Sequence, residues 1–165
     1  MMDRLSGLLA RVSAWAFFVV GLMICYEVAL RYFFNAPTVW AEEMSRFVQL
    51  WATYLAAPWA LRHRELIRIG LFTDRLGAVA RKWLELVSLL VIAVFSAFAV
   101  CYGSWIAWDS VVQHRTTSTM LDVPAVLTEA AIPVGFTLLG LQALLEMARV
   151  WREGAPAPTA PEALH

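Results

Sequence analysis

The chain has 165 residues, 61% of them hydrophobic and 16% charged, with a mean hydropathy of +0.64. Soluble domains carry about 45–50% apolar and about 25% charged residues, so both fractions exclude an ordinary soluble domain. Thirteen Lys and Arg balance thirteen Asp and Glu, which excludes a nucleic-acid binder working by bulk electrostatics. This length suits a compact unit of about four membrane spans and leaves no room for a separate soluble catalytic domain.

Taken in chain order, four apolar stretches predict an all-α membrane protein with spans at about 12–34, 43–61, 84–108 and 124–148. A span needs roughly 20 helical residues to cross about 30 Å of hydrocarbon. Val12 to Tyr26 is uncharged and reaches Phe34 with Glu27 and Arg31 inside. Phe47 to Leu61 is uncharged and extends back to Glu42 and Glu43. Leu86 to Trp108 carries no formal charge at all, and Ala130 to Leu145 is lengthened by Val123 to Glu129. Only helices satisfy their own backbone in lipid, and these runs are too continuous for alternating barrel strands. Arg4 and Arg11 before an apolar run resemble a secretory signal, but no small-x-small cleavage site follows, so the first span is expected to stay. Residues 1–153 then form one transmembrane domain, and the Pro/Ala-rich tail 154–165 is expected to be disordered.

Orientation follows from the cations. With a cytoplasmic N-terminus, the inner segments hold Arg4, Arg11, Arg62, Arg64, Arg68, Arg75, Arg81, Lys82, Arg149 and Arg152, ten of the thirteen. The positive-inside rule therefore puts both termini in the cytoplasm. Tryptophan agrees: Trp15, Trp59, Trp83 and Trp151 fall near inner ends, Trp40, Trp105 and Trp108 near outer ends, and Trp51 mid-span.

The densest polar constellation is Glu27, Arg31, Tyr32, Asn35, Pro37, Trp40, Glu42, Glu43 and Arg46. Glu27 and Arg31 stand four apart with the acid first, the favoured order for a helical pair. Charges inside a membrane either pair or face another protein, so these two read as buried contacts to a partner subunit. Asn35-Ala36-Pro37-Thr38 is turn chemistry, with Thr38 placed to cap the next helix. Glu42 and Glu43 lie at that helix's positive end, and both are within reach of Arg46. Capping of a short external hairpin is the plainer account of Glu42 and Arg46. Neither account implies catalysis.

Elsewhere the chemistry is thin. Arg62, Arg64, Arg68, Arg75, Arg81 and Lys82 form a basic inner-loop cluster, and the 66–72 stretch within it mixes apolar and cationic residues suited to the headgroup interface. His63 and His114 lie in loops at opposite faces and cannot pair as haem ligands inside a bundle. Cys25 and Cys101 have no CxxC or zinc pattern and read as buried packing residues. Ala93, Ala97 and Cys101 form a small-residue stripe suited to close helix packing, and Pro58 and Pro133 are expected to bend the second and fourth spans. No metal site, cofactor site or nucleophile–base pair is visible, so no enzyme activity is expected.

The string from Arg31 to Arg46, RYFFNAPTVWAEEMSR, closely resembles the signature of the small integral-membrane subunit of TRAP (tripartite ATP-independent periplasmic) transporters, the DctQ type. The likeness continues through Ala60 to Arg68 and resumes from Thr117 to Gly135; Pro58 and Gly70 depart from the usual pattern. The resemblance implies a noncatalytic subunit of a bacterial inner-membrane complex. It implies a large membrane partner that holds the substrate and sodium sites, and a periplasmic binding protein that docks transiently at the outer face to deliver an organic acid, often a carboxylate. The lipid bilayer is the remaining partner, and nucleic acid is not one.

A self-contained proton-coupled multidrug or cation exchanger using Glu27 is the competing class. Against it, Arg31 one turn away would hold Glu27 ionised and already partnered.

Overall fold

The computed structural model describes residues 2–36, 38–63, 77–117 and 122–153. They form five helices: α1 (Met2–Phe33), α2 (Val39–His63), α3 (Ala78–Val112), α4 (Ala125–Glu129) and α5 (Ala131–Glu153). Among the described residues, β-pairing is limited to one isolated bridge between Thr116 and Pro124. The expected tail 154–165 lies outside the described residues, as do Pro37 and the 66–72 stretch.

Among the described residues, three segments are long and apolar enough to cross a membrane: Arg4–Phe33, Val79–Val112 and Ala125–Arg152. They contain the first, third and fourth expected spans, and α1 and α3 overrun theirs, reaching 32 and 35 residues. At about 1.5 Å rise per residue they measure about 48 and about 52 Å. The second expected span lies within α2, which has 25 residues but carries Glu42, Glu43, Arg46, Gln49, Arg62 and His63. That polar content leaves it short of the other three in hydropathy.

The two prolines act differently. Pro133 has no N–H for the Glu129 carbonyl one turn back, and its ring crowds that turn. The hydrogen-bond ladder is interrupted there, at Ala130, but that residue keeps helical dihedrals and α4 runs on into α5. Pro58 lies inside α2, which continues through it as one helix, and is fully buried.

The helices stand in a row. The main contacts of α1 are with α2, those of α2 with α1 and α5, and those of α3 with α5, so the lateral order is α1, α2, α5, α3. The buried line of α1 is Ser6, Ser13, Val20 and Glu27, and that of α3 is Leu89, Ser96, Gly103 and Ser110. Both repeat every seven residues, the spacing of left-handed helix pairs. Small side chains dominate both lines because, without a hydrophobic drive in lipid, helices gain from close backbone approach. A Cβ on Gly103 would meet Ile132 and Pro133 at 3.1 Å, and one on Gly140 would meet Ser96 at 3.2 Å. Gly135 is tighter still, since a Cβ there would lie 2.5 Å from the Tyr54 Cβ.

The packing line is thus Ser96, Gly103 and Ser110 and not the small-residue stripe expected at Ala93, Ala97 and Cys101. Ala93 packs against the core, but Ala97 and Cys101 are exposed. Cys25 and Cys101, expected to be buried, are free and both on the outside of the row. The apolar core gathers where α2, α3 and α5 meet: Leu61, Leu86, Leu89, Ala143 and Val150, with Ile92, Leu139 and Met147 packed around them. Beyond this contact the outer faces of α1 and α3 are covered with large exposed apolar side chains, among them Phe18, Leu22, Phe95, Phe98 and Trp105.

Candidate functional site

The charged constellation assembles at the corner where α1 ends and α2 begins. Glu27 is buried in the last part of α1. It receives the Thr38 backbone N–H at 2.9 Å, the Thr38 hydroxyl, and the Arg31 guanidinium at 3.0 Å. One carboxylate therefore ties the end of α1 to the residue preceding α2, where the unpaired N–H groups of a helix start favour negative charge. Between them the chain turns at Asn35, whose φ of 49° is left-handed. Asparagine tolerates that region better than most residues because its short amide bonds locally.

From Glu27 the charges alternate outward. Arg31 bridges Glu27 and, at 4.0 Å, Glu42; Glu42 accepts from Arg46 at 2.5 Å. Exposure rises along this ladder until the Arg46 side chain stands 73% exposed. In water such an i,i+4 pair contributes only about 0.3–0.5 kcal/mol. Its effect here is geometric: four charges sum to zero and hold α1 against α2 at one end. Glu42 also occupies the first turn of α2, where its charge is favourable.

The remaining expected residues divide. Tyr32 borders an open groove of about 440 Å³ between α1 and α2, together with Ile24, Val28, Ser45, Gln49 and the ladder residues. Trp40 packs instead on Tyr26, with ring centroids 6.4 Å apart. Glu43 does not join Glu42 on Arg46: its Oε2 is buried with no hydrogen-bond partner among the described residues. Consecutive helix positions diverge by about 100°, so only one of two adjacent acids can share a ladder. In the basic cluster, Arg64, Arg68 and Arg75 lie outside the described residues, while Arg62, Arg81 and Lys82 lie within them. Lys82 donates to the Trp151 carbonyl at 3.0 Å and stands 5.3 Å from that indole centroid, tying the start of α3 to the end of α5. His63 is held by its own helix, Nδ1 lying 3.1 Å from the Trp59 carbonyl.

Sequence reasoning missed a second polar group. Gln142 is fully buried on α5 and donates to Glu146 at 3.1 Å; Glu146, also buried, accepts from Arg149 at 2.9 Å. The signal is present, since positions 142, 146 and 149 share one helix face, but the uncharged run from Ala130 stops at Leu145, just before Glu146. Beyond α3, Arg115 bonds Asp109 at 2.7 Å, and the Ser110 hydroxyl donates to Glu129. Gln142 Oε1 stays buried with no hydrogen-bond partner among the described residues; the other groups bond one another, and what they do chemically is hold helices.

A family profile for the DctQ component of tripartite ATP-independent periplasmic transporters matches residues 4–153. The chain belongs to that family. DctQ proteins are components of TRAP transporters, and with three apolar helices this one is a multi-pass membrane protein and a transporter small permease. Over 116 residues it is 30% identical to an isethionate TRAP transporter permease protein, DctMQ, of Oleidesulfovibrio alaskensis, a region amounting to 68% of this chain and 18% of that protein. Over 91 residues it is 23% identical to a putative TRAP transporter small permease protein of Haemophilus influenzae, covering 55% of this chain and 56% of the relative. The match therefore spans under a fifth of one curated relative and just over half of the other.

Proposed function

We propose that this chain is the noncatalytic scaffold subunit of a TRAP transporter in a bacterial inner membrane. It braces a larger sodium-coupled permease subunit while that partner imports an organic acid delivered by a periplasmic binding protein. In this reading residues 1–153 form one transmembrane domain with α2 as its second span, and both termini are cytoplasmic. The corner built by Glu27, Arg31, Tyr32, Asn35, Pro37, Trp40, Glu42, Glu43 and Arg46 is the contact to the partner and part of the outer docking surface. The basic residues at the other end face the cytoplasm. The matched segment of DctMQ is a small fraction of one long polypeptide, which supports assembly with a larger membrane portion.

One observation carries the reading: every charge of the ladder is partnered within the chain, and the first in line is saturated. An exchanger based on Glu27 needs that carboxylate free to trade a proton for substrate, whereas here it already holds three hydrogen bonds. A carrier site also needs convergent polar groups, often at broken helices near mid-membrane. The buried group on α5 instead runs along its own helix, Gln142 donating to Glu146 and Glu146 accepting from Arg149.

The test is reconstitution. Proteoliposomes holding this chain alone should take up no organic acid or cationic drug. Those holding it with a cognate large permease subunit, the binding protein and a sodium gradient should accumulate the acid. Transport by the chain alone rejects the scaffold role.

A further inference from the structure

We infer that the open face of α2 is the seat of a transmembrane helix of the large permease subunit; this rests on the scaffold reading and goes beyond it by naming the face. Glu42, Arg46, Gln49 and Thr53 are all exposed, and their spacing of four, three and four residues puts them on one line of the helix. The line runs for about 16 Å at 1.5 Å per residue. Half-buried Ala56, Ala57 and Ala60 continue the same side toward the other end. Among the described side chains of α2, the sole large apolar one that is exposed is Trp40, in the first turn. This helix stands in the middle of the row, between α1 and α5.

Lipid does not suit such a surface. The Thr53 hydroxyl donates to the Gln49 carbonyl of its own helix at 2.8 Å, but the Gln49 carboxamide would sit about 15 Å along a membrane helix, where acyl chains offer no hydrogen-bond partner. Polar groups at that depth associate with other helices, and alanines allow a neighbouring backbone to come close. Charge names the complement. The ladder ends on the cation Arg46, the most exposed of its four members, so the facing helix presents a carboxylate or unpaired carbonyls there. It presents a hydrogen-bonding side chain to Gln49 and small residues to Ala56–Ala60. The groove between α1 and α2, floored by Ile24 and Val28, receives the larger side chains of its outer half.

The experiment places a benzophenone amino acid singly at Gln49, Thr53, Phe18 or Phe98 in the full chain, co-expressed with the permease subunit, and irradiates membranes. Gln49 and Thr53 should give a cross-linked small–large heterodimer at least about tenfold more abundant than Phe18 or Phe98 gives. If the complex co-purifies but cross-links arise from Phe18 or Phe98 and not from α2, the face is wrong and the scaffold role survives. Cross-linking of α2 to a second copy of this chain overturns the proposed occupant. If no unmodified complex co-purifies, the scaffold reading fails and this inference falls with it. A second readout is Gln49→Leu, which keeps size and helix propensity: heterodimer recovery should fall several-fold while the chain's own melting temperature stays unchanged. Unchanged recovery counts against the seat.

Discussion

Helices α1 and α2 are neighbours, yet they meet their surroundings in opposite ways. On α1 the polar residues Ser6, Ser13 and Glu27 turn inward to α2, and the aromatic and aliphatic side chains turn out. On α2 the inward faces hold Ala41, Ser45, Ala52, Pro58 and Leu61, and the outward line is polar. A membrane helix that hides its polar residues is made for lipid, and one that displays them is made for protein. The same contrast separates α3, apolar outside, from α2. Position in the row does not by itself account for it, since α5 is also interior yet exposes Val134, Leu141 and Leu144; the polar outward line is particular to α2.

Four substitutions would break or sharpen this contrast. The largest effect is expected from Gly135→Leu, which drives a branched side chain into Tyr54 at the α2–α5 contact. Overpacking of that kind costs about 1–3 kcal/mol or more, so the purified protein should lose most of its cooperative melting transition in detergent. Retention of the wild-type transition would show that α2 and α5 are not pressed together there.

Next comes Arg31→Glu, which sets a third acid between Glu27 and Glu42 where a guanidinium now joins them. Recovery of the complex with the large subunit should fall by about tenfold, because like charges replace a bridge in a low-dielectric corner. Wild-type recovery together with wild-type uptake would remove the corner from the assembly.

Smaller is Lys82→Met, which keeps the apolar stem and loses both the bond to the Trp151 carbonyl and the contact with its ring. About 1 kcal/mol is expected, read as a melting temperature lowered by a few degrees. The smallest effect belongs to Cys101→Ala on the outer side of α3, which should lie within about 0.5 kcal/mol of wild type. A large loss there would mean that the α3 edge is covered by protein and not by lipid.

Much of this architecture was legible. The membrane class follows from composition, and the ends of α1 and α2 follow from the Asn35-Ala36-Pro37-Thr38 turn. The Glu27–Arg31 and Glu42–Arg46 pairs follow from their spacing. What escaped was mostly the question of which side of a helix faces which neighbour. In water, apolar periodicity marks the inside; in lipid both sides are apolar, so Ala93, Ala97 and Cys101 looked as good a packing line as Ser96, Gly103 and Ser110. The usable mark was the seven-residue recurrence of serine and glycine, shared by Ser6 and Ser13. Gln49 and Thr53 were passed over for a related reason: uncharged polar residues barely dent a hydropathy average, although their exposure decides what α2 can lie against. Gln142 and Glu146 escaped because a helix end and a buried interior look alike in one dimension.

The reach of α1 and α3 has a consequence for the surrounding membrane. Rods of about 48 and about 52 Å are much longer than a hydrocarbon layer of about 30 Å, so they lean, protrude into water, or thicken the lipid beside them. Any change in acyl-chain length then changes the slant of the two outer rods, and with it the angle at which the polar ridge between them is offered. On the proposed assembly, bilayer thickness becomes a mechanical input, felt first along the lipid-facing sides of the two outer rods.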